Sequence, residues 1–196
     1  MTQQLPQDVL TPSLVKSLGY WNGLRKGSHA PTLLSLDPFF SAALTESVIA
    51  VDVSGAPADY TIWSVGAALA PYLPCIGANK RLAEFYEDPG SSKIWQTFIE
   101  VSKLATPYVA AFDYLGQANG VVSTRELYLP FRRPESDEID DVIVFLEFTK
   151  APVPIDVLGS TQRQPITLGA SFSGLQPIPE TEPTPHQETH SSGAER

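Results

Sequence analysis

Histidine, cysteine and paired carboxylates are the residues of this chain that could do acid–base, nucleophilic or metal chemistry. The chain has three histidines and one cysteine. His29 follows the first apolar segment, while His186 and His190 lie near the C-terminus in His186-Gln187-Glu188-Thr189-His190. That spacing is not the helical His-Glu-x-x-His pattern that places two imidazoles on one face for zinc. A hydrolase needs a nucleophile, a base and a group that orients the base. With histidine confined to these positions, no Ser-His or Cys-His pairing is expected, no metal site is predicted, and the chain reads as a non-enzyme. Cys75 in Leu73-Pro74-Cys75-Ile76-Gly77 reads as a small buried hydrophobe. The carboxylate pairs Asp137-Glu138 and Asp140-Asp141 read as a solvated hairpin tip whose charges discourage edge-to-edge aggregation.

The elements that must position these residues follow from pattern. Thr11-Pro12 is a capping residue followed by a proline suited to the first helical turn. Leu14, Leu18, Trp21 and Arg25 then form one stripe, flanked by Val15 and Leu24. Arg25-Lys26-Gly27 supplies cations and a stop. Asp37-Pro38 opens a short helix carrying Phe39, Phe40, Ala43 and Leu44. Ser47 to Val53 and Tyr60 to Val65 are β-rich around the break Gly55 to Asp59, which predicts a hairpin. A broken helical stretch follows, Ala67 to Leu73 and Asn79 to Tyr86. Asp88-Pro89 leads a longer helix bearing Ile94, Trp95, Phe98, Val101 and Leu104. Three strands are predicted at Tyr108 to Leu115, Val121 to Phe131 and Ile139 to Phe148, joined by Gln117 to Gly120 and Arg132 to Glu138.

The order helix, two strands, short helices, long helix, three strands predicts an α+β domain: a five-stranded antiparallel sheet with helices on one face. This order is also that of the PAS sensory fold. The sequence resembles a bacterial family of short, mostly single-domain PAS-like proteins over roughly residues 14–148. The matching segments are Leu18-Gly19-Tyr20-Trp21-Asn22-Gly23-Leu24-Arg25-Lys26-Gly27, then Pro31 and Leu36-Asp37-Pro38, Tyr60 to Gly66, Ile76 to Leu82, and Glu126-Leu127-Tyr128-Leu129-Pro130. The chain carries Thr61 and Trp63 where that family's strand is richer in arginine. The resemblance implies a sensor or interaction module.

PAS-like modules can hold haem, flavin or a metabolite between sheet and helices. Haem needs a ligating histidine, and His29 is expected to be solvated. Cys75 does not sit in the Asn-Cys-Arg motif of flavin photosensors. No cofactor is therefore predicted. Trp63, Trp95, Phe98, Tyr108 and Phe112 are the cavity candidates for an unidentified small ligand, with Tyr114 and Tyr128 beside them.

The last strand is apolar on both parities: Val142, Val144, Leu146 and Phe148 on one, Ile143 and Phe145 on the other. The Tyr108 strand is similarly two-sided. Two apolar faces need two covers. Helix Leu14 to Leu24 is the expected second cover, within its own chain or across a homodimer. Leu14, Leu18, Trp21, Ile143 and Phe145 are thus the interface candidates. Association with a second copy or with a signalling protein is the expected mode of action; the alternatives are a sensor of a specific metabolite held between sheet and helices and, less favoured because the core lacks histidine, a small cavity-fold enzyme.

Composition sets the remaining bounds. The 196 residues suit one domain. Residues 1–10 read as a flexible N-terminus, 11–150 as the PAS-like domain and 151–176 as an extension. Residues 177–196, rich in Pro, Thr, Glu and Ser, read as a disordered tail. A net charge of -9 argues against nucleic acid or an anionic membrane as partner. With no signal peptide recognised and no apolar run of spanning length, a cytoplasmic location is expected.

Overall fold

A computed structural model describes residues 10–35, 46–73, 76–85, 90, 92–115, 121–149 and 170–171. Helix α1 spans Pro12–Arg25. The Thr11 hydroxyl accepts from the Leu14 backbone N–H, closing the first turn. Lys26 and Gly27 both take positive φ, 46° and 86°, and so end the helix. Helix α2 spans Lys93–Leu104, with the Ser92 hydroxyl accepting from the Trp95 N–H. Ser92 therefore does the capping expected of Asp88, which lies outside the described residues with Pro89. The helix predicted from Asp37-Pro38 lies outside them too, as do Cys75, the Gln117 to Gly120 connection and residues 177–196.

Strands β1 (Val48–Asp52), β2 (Thr61–Val65), β3 (Lys80–Arg81), β4 (Tyr108–Leu115), β5 (Val121–Phe131), β6 (Asp141–Phe148) and β7 (Ala170–Ser171) form one sheet in the order β3-β2-β1-β6-β5-β4-β7. All its pairings are antiparallel. The two predicted groups of strands do join, through β1 and β6. Among the described residues the sheet has seven strands rather than five, because two-residue strands pair at both edges. One of these corrects a predicted helix. Asn79 takes positive φ (65°) and its N–H donates to the Ile62 carbonyl. Lys80 and Arg81 then pair with Ile62 and Thr61, leaving only a 3-10 turn at Leu82–Phe85. Ala67 to Leu73 likewise forms turns instead of a helix. Leu69 and Ala70 bond back to the Gly66 carbonyl, and Pro71 has no N–H with which to continue.

Direct cross-strand partners share a face, so the register fixes the two sides. One side carries Tyr108, Ala110, Phe112, Thr124, Glu126, Tyr128, Val142, Val144 and Leu146. Helix α2 lies here: Phe98 meets Tyr128 edge-on at 5.3 Å between ring centroids. Leu69 and Leu73 pack against Val122 and Leu146 on the same side. The other side carries Leu127, Leu129, Phe131, Ile143 and Phe145, all of them buried. Helix α1, which packs on β5, is the described helix left to cover it. Leu14, Leu18 and Trp21 are buried, and the Trp21 indole N–H donates to the Pro130 carbonyl at 2.8 Å. The segment after α1 is stitched to the end of β5. Arg132 N–H donates to the Pro31 carbonyl, Leu33 N–H to the Arg132 carbonyl, and Arg132 Nε to the Ala30 carbonyl. All five interface candidates are thus buried within a single chain, in one hydrophobic cluster.

Candidate functional sites

On the α2 side, alternation along β5 brings Thr124, Glu126 and Tyr128 into one row. Glu126 is 2% exposed. The Thr124 hydroxyl donates to its Oε1 at 2.8 Å and the Tyr128 hydroxyl to its Oε2 at 2.6 Å. Its cross-strand neighbours are Ala110 and Leu146, both apolar. Two hydroxyls of its own strand thus bond the carboxyl group between apolar cross-strand neighbours. Around it stand Phe98, Phe112 and Tyr108, whose ring meets Tyr128 at 6.4 Å. Trp95 meets Tyr60 at 5.9 Å, and the Tyr60 hydroxyl pairs with Ser102 of α2. Burial, and then the charge of Glu100, push the Tyr108 hydroxyl above its ordinary value. Four of the five aromatic candidates, Trp95, Phe98, Tyr108 and Phe112, therefore serve this side.

Trp63 does not join them. It is 43% exposed and turns to the opposite face, where its indole N–H donates to Asp141 Oδ1 at 3.0 Å. A register shift between Ala50 and Val51 in the β1–β2 ladder places it there.

Asp140 and Asp141 also correct the sequence reading. Asp137 and Glu138 are exposed, as a solvated tip requires, but Asp140 and Asp141 are 8% and 2% exposed. Asp140 closes the hairpin by accepting the Arg133 backbone N–H at 2.8 Å. Asp141 opens β6 directly opposite Asp52 of β1. The guanidinium of Arg133 lies between these two carboxylates. Its Nη2 donates to Asp52 Oδ2 at 2.8 Å, and its Nε lies 3.7 Å from Asp141 Oδ2, beyond hydrogen-bond range. Asp141 Oδ2 is buried with no hydrogen-bond partner.

The two aspartates titrate in opposite directions. Burial tends to raise the Asp52 pKa, but hydrogen bonds from the Ser54 hydroxyl, the Ser54 N–H and Arg133 prevail, and the carboxyl sits below 3.8. Asp141 is pushed up to about 6, chiefly by burial; the charge of Arg133 and the hydrogen bond from the Trp63 N–H oppose this, and the charges of Asp52 and Asp140 add to it. Two neighbouring carboxylates with pKa values driven apart form an acid–base pair in which one stays charged while the other takes a proton near neutrality. Among the described residues, no group of three or more His, Cys, Asp or Glu is arranged to hold a metal ion. His29 is exposed. No described helix is long and apolar enough to cross a membrane.

The signals for Asp141 were present but indirect. It begins a strand apolar on both parities, and Arg132-Arg133 precede it across the same hairpin.

No family model matches the chain, and no curated protein matches it. Among solved structures it is similar to one described as "Structure of an RNA-binding Light-Oxygen-Voltage Receptor", at 11% identity and a TM-score of 0.40. The likeness covers 74% of this chain and 36% of that one. The protein is an α+β domain built on one antiparallel sheet.

Proposed function

We propose that this chain is a non-enzymatic sensory or regulatory module of PAS-like type. It acts by associating with another protein chain, and a small ligand read on the α2 side of the sheet tunes that association. The observation that supports this most is Glu126, a carboxylate buried between Ala110 and Leu146 and held by Thr124 and Tyr128. A buried carboxyl group is a poor stabiliser: well-packed apolar side chains of similar volume do as well or better. A polar trio under an aromatic helix face is instead the kind of anchor that orients a ligand in an apolar pocket. Trp95, Phe98, Tyr108 and Phe112 would supply the apolar contact area.

Native mass spectrometry of the purified full chain, with its absorbance spectrum, tests this reading. The expected result is a co-purified small molecule that is lost in Glu126→Gln, with a colourless protein, since no chromophore is predicted. Light scattering with and without that molecule should show a change in self-association. A wild-type chain that carries nothing, combined with a Glu126→Leu variant that is more stable and associates unchanged, would reduce Glu126 to a structural residue.

A further inference from the structure

The Asp141 cluster lies on the face opposite Glu126 and uses none of its residues. Asp52 and Asp141 are direct partners in the β1–β6 ladder, so their side chains share a face. One guanidinium, that of Arg133, serves both, and the hydrogen bond goes to Asp52 alone. Asp141 Oδ1 is occupied by Trp63, while Oδ2 is buried and unbonded. The strand bearing Asp141 is thus tied at one residue to β2 through Trp63, to β1 through Asp52 and to the hairpin tip through Arg133. Trp63 and Arg133 both reach solvent, at 43% for the residue and 50% for the side chain.

We propose that Asp141, Asp52 and Arg133 form a proton-operated latch. Uptake of one solvent proton on Asp141 Oδ2 ends its attraction for Arg133, leaves Arg133 to Asp52, and resets the exposed Trp63 and the β5–β6 hairpin tip.

The balance is one proton gained and one negative charge lost, with no bond broken other than the ion pair. The charged form leaves Oδ2 without a donor, which is costly for a buried carboxylate. The protonated form turns Oδ2–H into a donor and removes the like charge facing Asp52, its cross-strand partner. A like charge nearby favours the neutral form of such a carboxyl. The groups facing Asp141 are Asp52 from β1, Trp63 from β2, Arg133 from the hairpin tip and Asp140 from the residue before β6. Further along the same row of strand partners, Arg81 is engaged by Asp59 at 3.9 Å, with both exposed. Burial and Asp52 hold the Asp141 proton up to about 6, within the range of ordinary cellular change. A surface that alters its tryptophan and its arginine together would present a different face to a partner on either side of that pH.

The indole N–H resonances of the three tryptophans read this latch in the full chain. Trp63→Phe assigns one of them, and Trp21 and Trp95 report that the fold persists. Titrated from about pH 4.5 to about pH 7.5, the Trp63 signal should move with a midpoint near 6, while the other two stay still. Asp141→Asn should abolish the movement. Asp52→Asn removes the like charge and should lower the midpoint, whereas Arg133→Gln removes the opposing charge and should raise it. A Trp63 signal that stays fixed in the wild type overturns the proposal, as does one that moves equally in Asp141→Asn. Should Asp141→Asn fail to fold, midpoints unmoved by both Asp52→Asn and Arg133→Gln overturn it as well.

Discussion

Removing Trp21 should cost the domain a large share of its stability. The side chain is 1% exposed, and its indole N–H donates to the Pro130 carbonyl on β5. Truncating a buried Trp to Ala costs about 3–5 kcal/mol through lost contacts and the cavity left behind. The Pro130 carbonyl also loses its donor, and an unsatisfied buried group costs about 1–3 kcal/mol. Trp21→Phe keeps most of the apolar volume and removes the N–H, so its cost should be near that second figure alone. Val15, on the same helix but 47% exposed, supplies the control: Val15→Ala should stay within about 0.5 kcal/mol of wild type. Against a typical total of about 5–15 kcal/mol, Trp21→Ala should be marginally folded. Urea unfolding followed by circular dichroism ranks the variants, and light scattering reports mass. Because α1 is buried within its own chain, unfolding of this helix and sheet should not depend on protein concentration. Trp21→Ala no more costly than Val15→Ala would refute α1 as the cover of the second face. A midpoint that climbs with concentration in the wild type and no longer does so in Trp21→Ala would show that a second chain provides the cover.

Stability should also depend on pH through Asp141. The folded carboxyl keeps its proton up to about 6, whereas the unfolded one loses it near 3.8, so stability falls as pH rises between these values. The full effect has a ceiling of about 3 kcal/mol, and Asp141→Asn should therefore gain more at about pH 8 than at about pH 4; equal effects at both would discard the cause. Thr11→Ala and Ser92→Ala should each cost about 1 kcal/mol, because each removes the side chain that satisfies a first-turn N–H; a thermal midpoint unchanged in either variant would show that water replaces the cap. Truncation after Leu175 keeps β7 and removes a segment poor in large apolar residues, and it should leave the thermal midpoint where it was. A large drop would show that the tail docks on the domain.

Local signals carried most of the architecture. The bounds of β4 and β5 follow the β-rich runs residue for residue, and α1 starts and stops at the cap and glycine expected. The two-sided run in β6 predicted two covers, and both faces of that strand are buried. The losses come where long-range pairing outcompetes local preference. Asn79 to Tyr86 has helical composition, yet Lys80 and Arg81 complete the exposed edge of β2, and an edge that gains backbone partners outweighs a weak propensity. Trp63 was expected either to line a cavity or, as large aromatics at such positions usually do, to sit in the core; it does neither, being 43% exposed. A single extra residue in the ladder sends it to the other face, and no periodicity within β2 records an irregularity defined against β1.

Asp140 and Asp141 show the same limit in the candidate site. Read along the chain, they continue the charged run Asp137-Glu138 and look solvated. Read across the sheet, Asp141 is the first residue of a strand whose next five residues are all buried, and it inherits that burial. A charge in such a place must find compensation, and the nearby Arg133 supplies it from the hairpin the strand closes. The compensation is shared with Asp52, which no reading of β6 alone could reveal, since Asp52 lies on a strand distant in sequence. Burial of Asp141 was therefore legible from its own strand. The sharing of one arginine, which tempers the rise that burial gives the Asp141 pKa, is a property of the β1–β6 register.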